Sequence, residues 1–367
     1  MIKVMTVFGT RPEGIKMAPV VKALEADEQV TPVTVVTGQH REMLQQVLDI
    51  FDVTPDYDLA IMEPNQSLAK ITSKVLMGMD DILTTEQPDI VLVHGDTSTT
   101  LATSMSAFFH QIPVGHVEAG LRTWQKYSPF PEEMNRQLTD RIADVYFAPT
   151  PLSANNLARE GGDADRIYTT GNTAIDALQY TLQQDYHHEV LQQVDPNHKM
   201  ILLTMHRREN QGVPMANVFR AVRDIVAENP DVEVVYPVHL SPAVQKIARE
   251  ILADVDRVHL IDPLDVVDFH NMAARSYLIM TDSGGVQEEA PSLNVPVLVL
   301  RDTTERPEGV DAGTLRLTGT DYDTVKTTVE ELLHNEVAYQ EMADNLNPYG
   351  DGHTADRITR IIKDFIQ

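Results

Sequence analysis

The chain has 367 residues, of which 29 are basic and 55 acidic, for a formal charge of -26; 42% are hydrophobic and none is cysteine. That length favours two domains, and the hydrophobic share excludes a disordered chain. The negative charge argues against nucleic acid and anionic membranes as partners, and the missing cysteines exclude disulfides, thiolate nucleophiles and Cys-based zinc sites.

The N-terminal MIKVMTVFG reads as a first strand, Val4–Phe8. It lacks the long apolar stretch and small-residue cleavage site of a signal peptide, and no apolar run approaches the ~18–20 residues that span a bilayer. A cytoplasmic protein is expected. Residues 14–24 follow with Ile15, Ala18, Val21 and Leu24 at helical spacing. Further apolar runs at 33–37, 90–94, 114–117 and 145–148 alternate with helical patterns at 42–51, 68–84 and 97–109. The runs are continuously Val/Ile/Leu-rich, as strands covered on both faces should be, so a parallel sheet wrapped in helices is predicted. After a polar stretch at 186–199 the pattern restarts, with strands at 200–205, 232–236, 258–261, 277–281 and 297–300. Two Rossmann-like halves are expected, residues 1–170 and 171–350. A last helix, 353–366, follows the breaker run NPYGDG and could pack on either half.

In open α/β sheets ligands bind beyond the carboxyl ends of the strands, so the loops there should carry the chemistry. The first, Gly9–Lys16, has the capping-box pair Thr10 and Glu13, and Arg11 and Lys16 add positive charge beside a helix N-terminus, a ready anion site. It is not the dinucleotide fingerprint, since no G-x-G-x-x-G follows the strand. Asp96 and Glu118 fall at the ends of what should be neighbouring strands. Asp96 taken alone is an N-cap candidate; the two together suit proton transfer, because paired carboxylates push each other's pKa apart. A third acid enters from SPFPEEMNR, where either Glu132 or Glu133 could face the site or serve the helix dipole.

In the second half, His206-Arg207-Arg208 ends the first strand, an anion-binding cluster in so acidic a protein. Later, Ser283-Gly284-Gly285 opens a helix and offers bare amides to a phosphate, with Glu288 or Glu289 a turn on to accept ribose hydroxyls. Acids in one half and anion-binding groups in the other point to a diphosphate substrate whose chemistry occurs on a non-phosphate moiety. No spacing demands a metal.

The set FGTRPE, HGDT, HVEAGLRT, PEEMNR, HRREN, TDSGGVQEEAP and RDTTERPE resembles the non-hydrolysing bacterial UDP-N-acetylglucosamine 2-epimerases over nearly the whole chain. The resemblance implies a two-domain glycosyltransferase-B-like fold with its active site in the interdomain cleft. It also implies a last helix (353–367) completing the first domain, a homodimer, and no nicotinamide cofactor or metal. It places acid/base groups at Asp96, Glu118 and Glu132, and His206 beside the diphosphate. Contacts to UDP or the substrate fall on Arg11, Lys16, Phe269, Ser283, Gly284, Gly285, Glu289 and Arg306. Leu264 stands where some members have Gln on the uracil side. A second, activating substrate site maps to Gln39, Glu132, Arg207 and His239. There Glu42 replaces a common Gln and Asn65 a common Arg, which disfavours a second diphosphate. The implied reaction eliminates UDP to a 2-acetamidoglucal and adds it back, inverting C2; which carboxylate serves which face is open. A glycosyltransferase, a hydrolysing epimerase and a nucleotide-sugar sensor are the rivals.

Overall fold

The computed structural model describes residues 1–38, 41–63 and 66–366, without the side chains of Arg41 and Glu42. Gln39, Asn65 and the side chain of Glu42, three of the positions read for an activating site, therefore lie outside the described residues.

The first unit comprises residues 1–180 and 349–367, the second 181–348. The first division falls ten residues beyond the boundary read at 170, because the helix Thr173–Thr181 sends Ala177 into the first unit's core. In the first unit the strands are β1 (Ile2–Phe8), β2 (Val30–Val36), β3 (Tyr57–Asp58), β4 (Ile90–His94), β5 (Val114–Val117), β6 (Val145–Ala148) and β7 (Ile167–Thr169). They form one parallel sheet in the order β3-β2-β1-β4-β5-β6-β7. The second unit repeats the plan with β8 (Lys199–Thr204), β9 (Val232–Pro237), β10 (Val258–Ile261), β11 (Leu278–Thr281), β12 (Val297–Val299) and β13 (Leu315–Leu317), ordered β10-β9-β8-β11-β12-β13. Both are doubly wound sheets, as predicted. The three strands that the apolar pattern does not reveal, β3, β7 and β13, are two- or three-residue edges with little core to fill.

Both faces of each sheet are buried, which is why the central strands read as unbroken apolar runs. In β1, Val4 and Phe8 enter one core cluster while Met5 and Val7 enter the other. In the second unit, Ile201 and Leu203 face one side and Met200 and Leu202 the other. The helix Thr354–Ile366 buries Ala355, Ile358 and Ile362 against Phe8, Met17 and Val21 of the first unit. Asp176 accepts the Ala355 amide at 2.7 Å, and Lys363 pairs with Asp27 at 2.5 Å. Among the described residues no helix is long and apolar enough to cross a membrane.

Strand order reverses at β1/β4 in the first sheet and at β8/β11 in the second. Side chains beyond the carboxyl ends of such a pair find a crevice, because the flanking connections leave in opposite directions. All four loops are those that the sequence loads with polar groups.

Candidate active site

In the first unit, the helix Arg11–Glu25 starts at a complete capping box. Glu13 is fully committed to structure: one carboxylate oxygen accepts the amides of Gly9 and Thr10 at 3.0 and 2.8 Å. The other accepts the hydroxyls of Thr97 and Thr100 at 2.7 and 3.2 Å. It thereby fastens the β1 loop to the β4 loop. Arg11 opens the helix half-buried and makes no ion pair among the described residues. One turn on, Lys16 reaches across to Glu118, at the end of β5, and pairs with its Oε2.

Glu118 sits in left-handed backbone at φ 64°, which costs a non-glycine residue on the order of 1–3 kcal/mol and persists only where the surroundings impose it. Two residues on, Gly120 (φ 85°) admits no side chain: a Cβ there would lie 2.2 Å from the Ser153 carbonyl oxygen. Burial pushes the Glu118 carboxyl up, but Lys16 and His94 outweigh it and hold the group well below the ordinary carboxylate range.

Asp96 does not cap the helix after β4, as it could when read alone; Thr97 does, accepting the Thr100 amide. The Asp96 carboxylate is left to pair with Arg136 Nη2 at 2.8 Å, while its carbonyl accepts from Asn135. Its pKa moves opposite to that of Glu118. Burial raises it, Arg136 resists, and the nearby Glu118 and Glu132 charges raise it further. The helix Glu132–Ile142 also decides between the two glutamates. Glu133 is fully buried and accepts the amides of Thr123 and Trp124, both at 3.0 Å. Glu132 is partly exposed and close enough to Asp96 to influence its charge.

Sequence reasoning did not single out Arg136, His94, His116 or Asp140. Arg136 and His94 stand within the quoted PEEMNR and HGDT motifs, and Arg136 is one helical turn from Glu132, the one signal that could have found it.

In the second unit, Asp282, wholly buried at the end of β11, organises the loop after β8. Its carboxylate accepts the amides of His206 and Arg207 and the Asn210 side chain. The His206 ring keeps substantial exposure, with Nδ1 3.3 Å from Asp282, and stacks on His239 at 5.5 Å between centroids. Burial lowers its pKa below the ordinary imidazole value; Asp282 resists, and His239 and Arg207 push the same way as burial. Arg207 is turned back onto the Asp282 carbonyl (2.8 Å) and Glu209 (3.3 Å).

The glycines after Ser283 have distinct reasons. A Cβ on Gly284 would come within 2.7 Å of the Arg306 guanidinium, whereas one on Gly285 would meet nothing closer than Glu289 at 3.8 Å. Arg306 is held over Gly284 by Glu288, with both Nε and Nη2 2.8 Å from one carboxylate oxygen. Glu288 is therefore engaged, and Glu289 is the acid of the pair with an open role, lying 3.2 Å from His270. Phe269 lies half-buried on the helix Val266–Ala274. Leu264 packs on the core and lines a cavity of about 620 Å³ beside β10.

Several sequence-predicted groups thus come together within each unit: Lys16, Asp96, Glu118 and Glu132 in the first, Ser283, Gly284 and Arg306 in the second, with His206 and His239 stacked on each other. Among the described residues no cluster of three or more His, Asp or Glu has metal-binding geometry.

Residues 22–363 match the family profile described as UDP-N-acetylglucosamine 2-epimerase. A UDP-N-acetylglucosamine 2-epimerase of Bacillus subtilis is 60% identical, covering 97% of this chain and 94% of its own. Among solved structures, a Staphylococcus aureus protein in complex with UDP is 51% identical with a TM-score of 0.91, covering 100% of this chain and 97% of its own. A UDP-GlcNAc 2-epimerase of Neisseria meningitidis, bound to UDP-GlcNAc, is 46% identical with a TM-score of 0.89, covering 99% of this chain and all of its own.

Proposed function

We infer the activity from one premise: the chain belongs to the UDP-N-acetylglucosamine 2-epimerase family. Its reaction is the reversible inversion of C2 that interconverts UDP-N-acetylglucosamine and UDP-N-acetylmannosamine.

One observation carries the mechanism. Two carboxylates at adjacent strand ends each hold a different cation, Lys16 on Glu118 and Arg136 on Asp96, and their pKa values are driven apart. Such a pair supplies a base and an acid at the same pH. Glu118, held ionised, takes the C2 proton as the C1–O bond to UDP breaks and a C1=C2 double bond forms. Asp96, biased toward its protonated form, returns a proton to the opposite face of C2 as UDP adds back to C1. Glu132 completes the acid side. C2–H is weakly acidic, so its removal needs charge stabilisation where UDP departs. Support for that role comes from the Ser283–Gly285 amides and Arg306, with His206 at the diphosphate. Arg11, Lys16, Phe269 and Glu289 complete the assigned substrate contacts. The enzyme acts as a cytoplasmic homodimer in this reading. With Arg207 drawn onto Asp282 and Glu209, a second substrate beside His239 finds weak support.

Incubation with UDP-N-acetylglucosamine in heavy water tests this. Deuterium at C2 of both epimers, with UDP still attached at equilibrium, is expected. Persistent release of free N-acetylmannosamine would mean hydrolysis, and no exchange would sink the assignment.

A further inference from the structure

The base proposed above has a neighbour with no structural work. His94 is the last residue of β4, and the strand register pairs it with Val117, immediately before Glu118. Its ring is buried, 5% exposed, and its Nε2 lies 3.2 Å from Glu118 Oε2. Among the described residues neither ring nitrogen makes an aligned hydrogen bond. Only its backbone is used by the fold, the carbonyl accepting the Thr100 hydroxyl at 2.6 Å. Leaving a buried polar group so is costly, and an apolar side chain of similar size would avoid that cost.

Lys16 and His94 converge on the same oxygen of Glu118, whereas Oε1 takes no hydrogen bond from any described residue. An oxygen that faces an ammonium and an imidazole N–H is the poorer place for a proton. We propose that His94 is a positioning residue for Glu118: together with Lys16 it pins Oε2, so that the proton leaving C2 is taken by Oε1. This rests on the reading of Glu118 as the base. Nε2 faces an acceptor, so the tautomer carrying hydrogen there is the one that fits.

Lys16, from the helix after β1, meets Glu118, and Asp96 lies near enough to feel both Glu118 and His94; Glu132 and Arg136, from the helix at 132–142, act on Asp96 in turn. His116 touches the Gly95 carbonyl from β5. His94 and Lys16 together hold the Glu118 carboxyl down against its burial. Removal of the imidazole therefore raises it, and the base becomes protonated over a wider range of pH.

A glutamine at 94 can set an amide N–H near the Nε2 position, whereas asparagine reaches only as far as Nδ1. His94→Asn is expected to lower kcat on the order of 10- to 100-fold, with KM within about twofold of wild type. The acid limb of its kcat/KM profile should move to higher pH, and His94→Gln should recover most of the loss. Full-length H94N, H94Q and wild type are compared for epimerisation, melting temperature and UDP affinity; His94→Ala replaces H94N if that variant does not fold. Wild-type kcat and an unmoved acid limb in H94N would overturn the inference. So would equal impairment of H94N and H94Q, or a loss confined to KM or melting temperature. No conversion by the wild type would overturn the epimerase reading and this inference with it; turnover by wild type and H94N alike overturns this inference alone.

Discussion

His116 joins Asp140 to the backbone beside Asp96: its Nδ1 lies 2.6 Å from Asp140 Oδ1 and its Nε2 2.7 Å from the Gly95 carbonyl oxygen. The other Asp140 oxygen accepts the Gly120 amide and Arg122 Nη2 at 3.3 and 2.7 Å, and Arg122 also grips Glu160. One buried carboxylate thus ties the Asp96 loop to the Glu118 loop. Burial alone would raise its pKa, but His116 and Arg122 hold it below the ordinary value.

Asp140→Ala removes the acceptor and leaves three donors, the His116 ring, the Gly120 amide and Arg122, without it. A loss of roughly 3–5 kcal/mol is expected, as for other broken buried ion pairs. Urea denaturation measures it, and a loss under about 1 kcal/mol would show that solvent or Glu160 can replace the carboxylate.

Arg136→Met removes the positive charge that resists protonation of Asp96. The Asp96 pKa, already raised, should rise further, so the alkaline limb of the rate profile assigned to this acid moves to higher pH. Lost positioning should lower kcat roughly tenfold or more. An unshifted alkaline limb would remove Asp96 as the acid.

Gly284→Ala places a methyl group where the Arg306 guanidinium lies. Displacement of that side chain from Glu288 should weaken UDP binding roughly tenfold or more, about 1.4 kcal/mol. Calorimetric titration with UDP reads this directly. Gly285→Ala, whose Cβ would meet only Glu289 at an ordinary contact distance of 3.8 Å, should fold without that displacement.

Asp176, buried beneath the C-terminal helix, has its carboxyl pushed up to about 6 by burial. The sign follows from linkage. Below about pH 4 folded and unfolded chains are both protonated there. As pH rises toward 6 the unfolded chain ionises first, and the folded state loses stability relative to it. Asp176→Asn keeps the acceptor for the Ala355 amide and offers an N–H toward the neighbouring Thr354 hydroxyl. It should stabilise the protein by roughly 1–3 kcal/mol near pH 7. The gain should fade toward pH 4, as melting curves across that range would register.

Glu42 and Asn65, an acid and a neutral amide at two positions read for an activating site, should weaken a second diphosphate site there. Initial rate against substrate concentration is expected to be close to hyperbolic; strong sigmoidality would contradict this.

The sequence by itself determined the two doubly wound halves and the loops that carry chemistry. Both follow from local physics: unbroken apolar runs announce strands covered on both faces, and polar groups cluster where such strands end. The tertiary structure decided which member of each adjacent pair is taken up in holding the backbone or a neighbouring arginine. Neighbours on a helix point about 100° apart, so Glu133 meets the Thr123 and Trp124 amides while Glu132 does not, and Glu288 meets Arg306 while Glu289 does not. Nothing in a string of letters reports what lies on each side of a helix. The same holds for Glu118. Its spacing marks a strand end, but the cation that holds it ionised is 102 positions away in the chain and arrives only because β5 and the helix after β1 are brought to one edge of the same sheet.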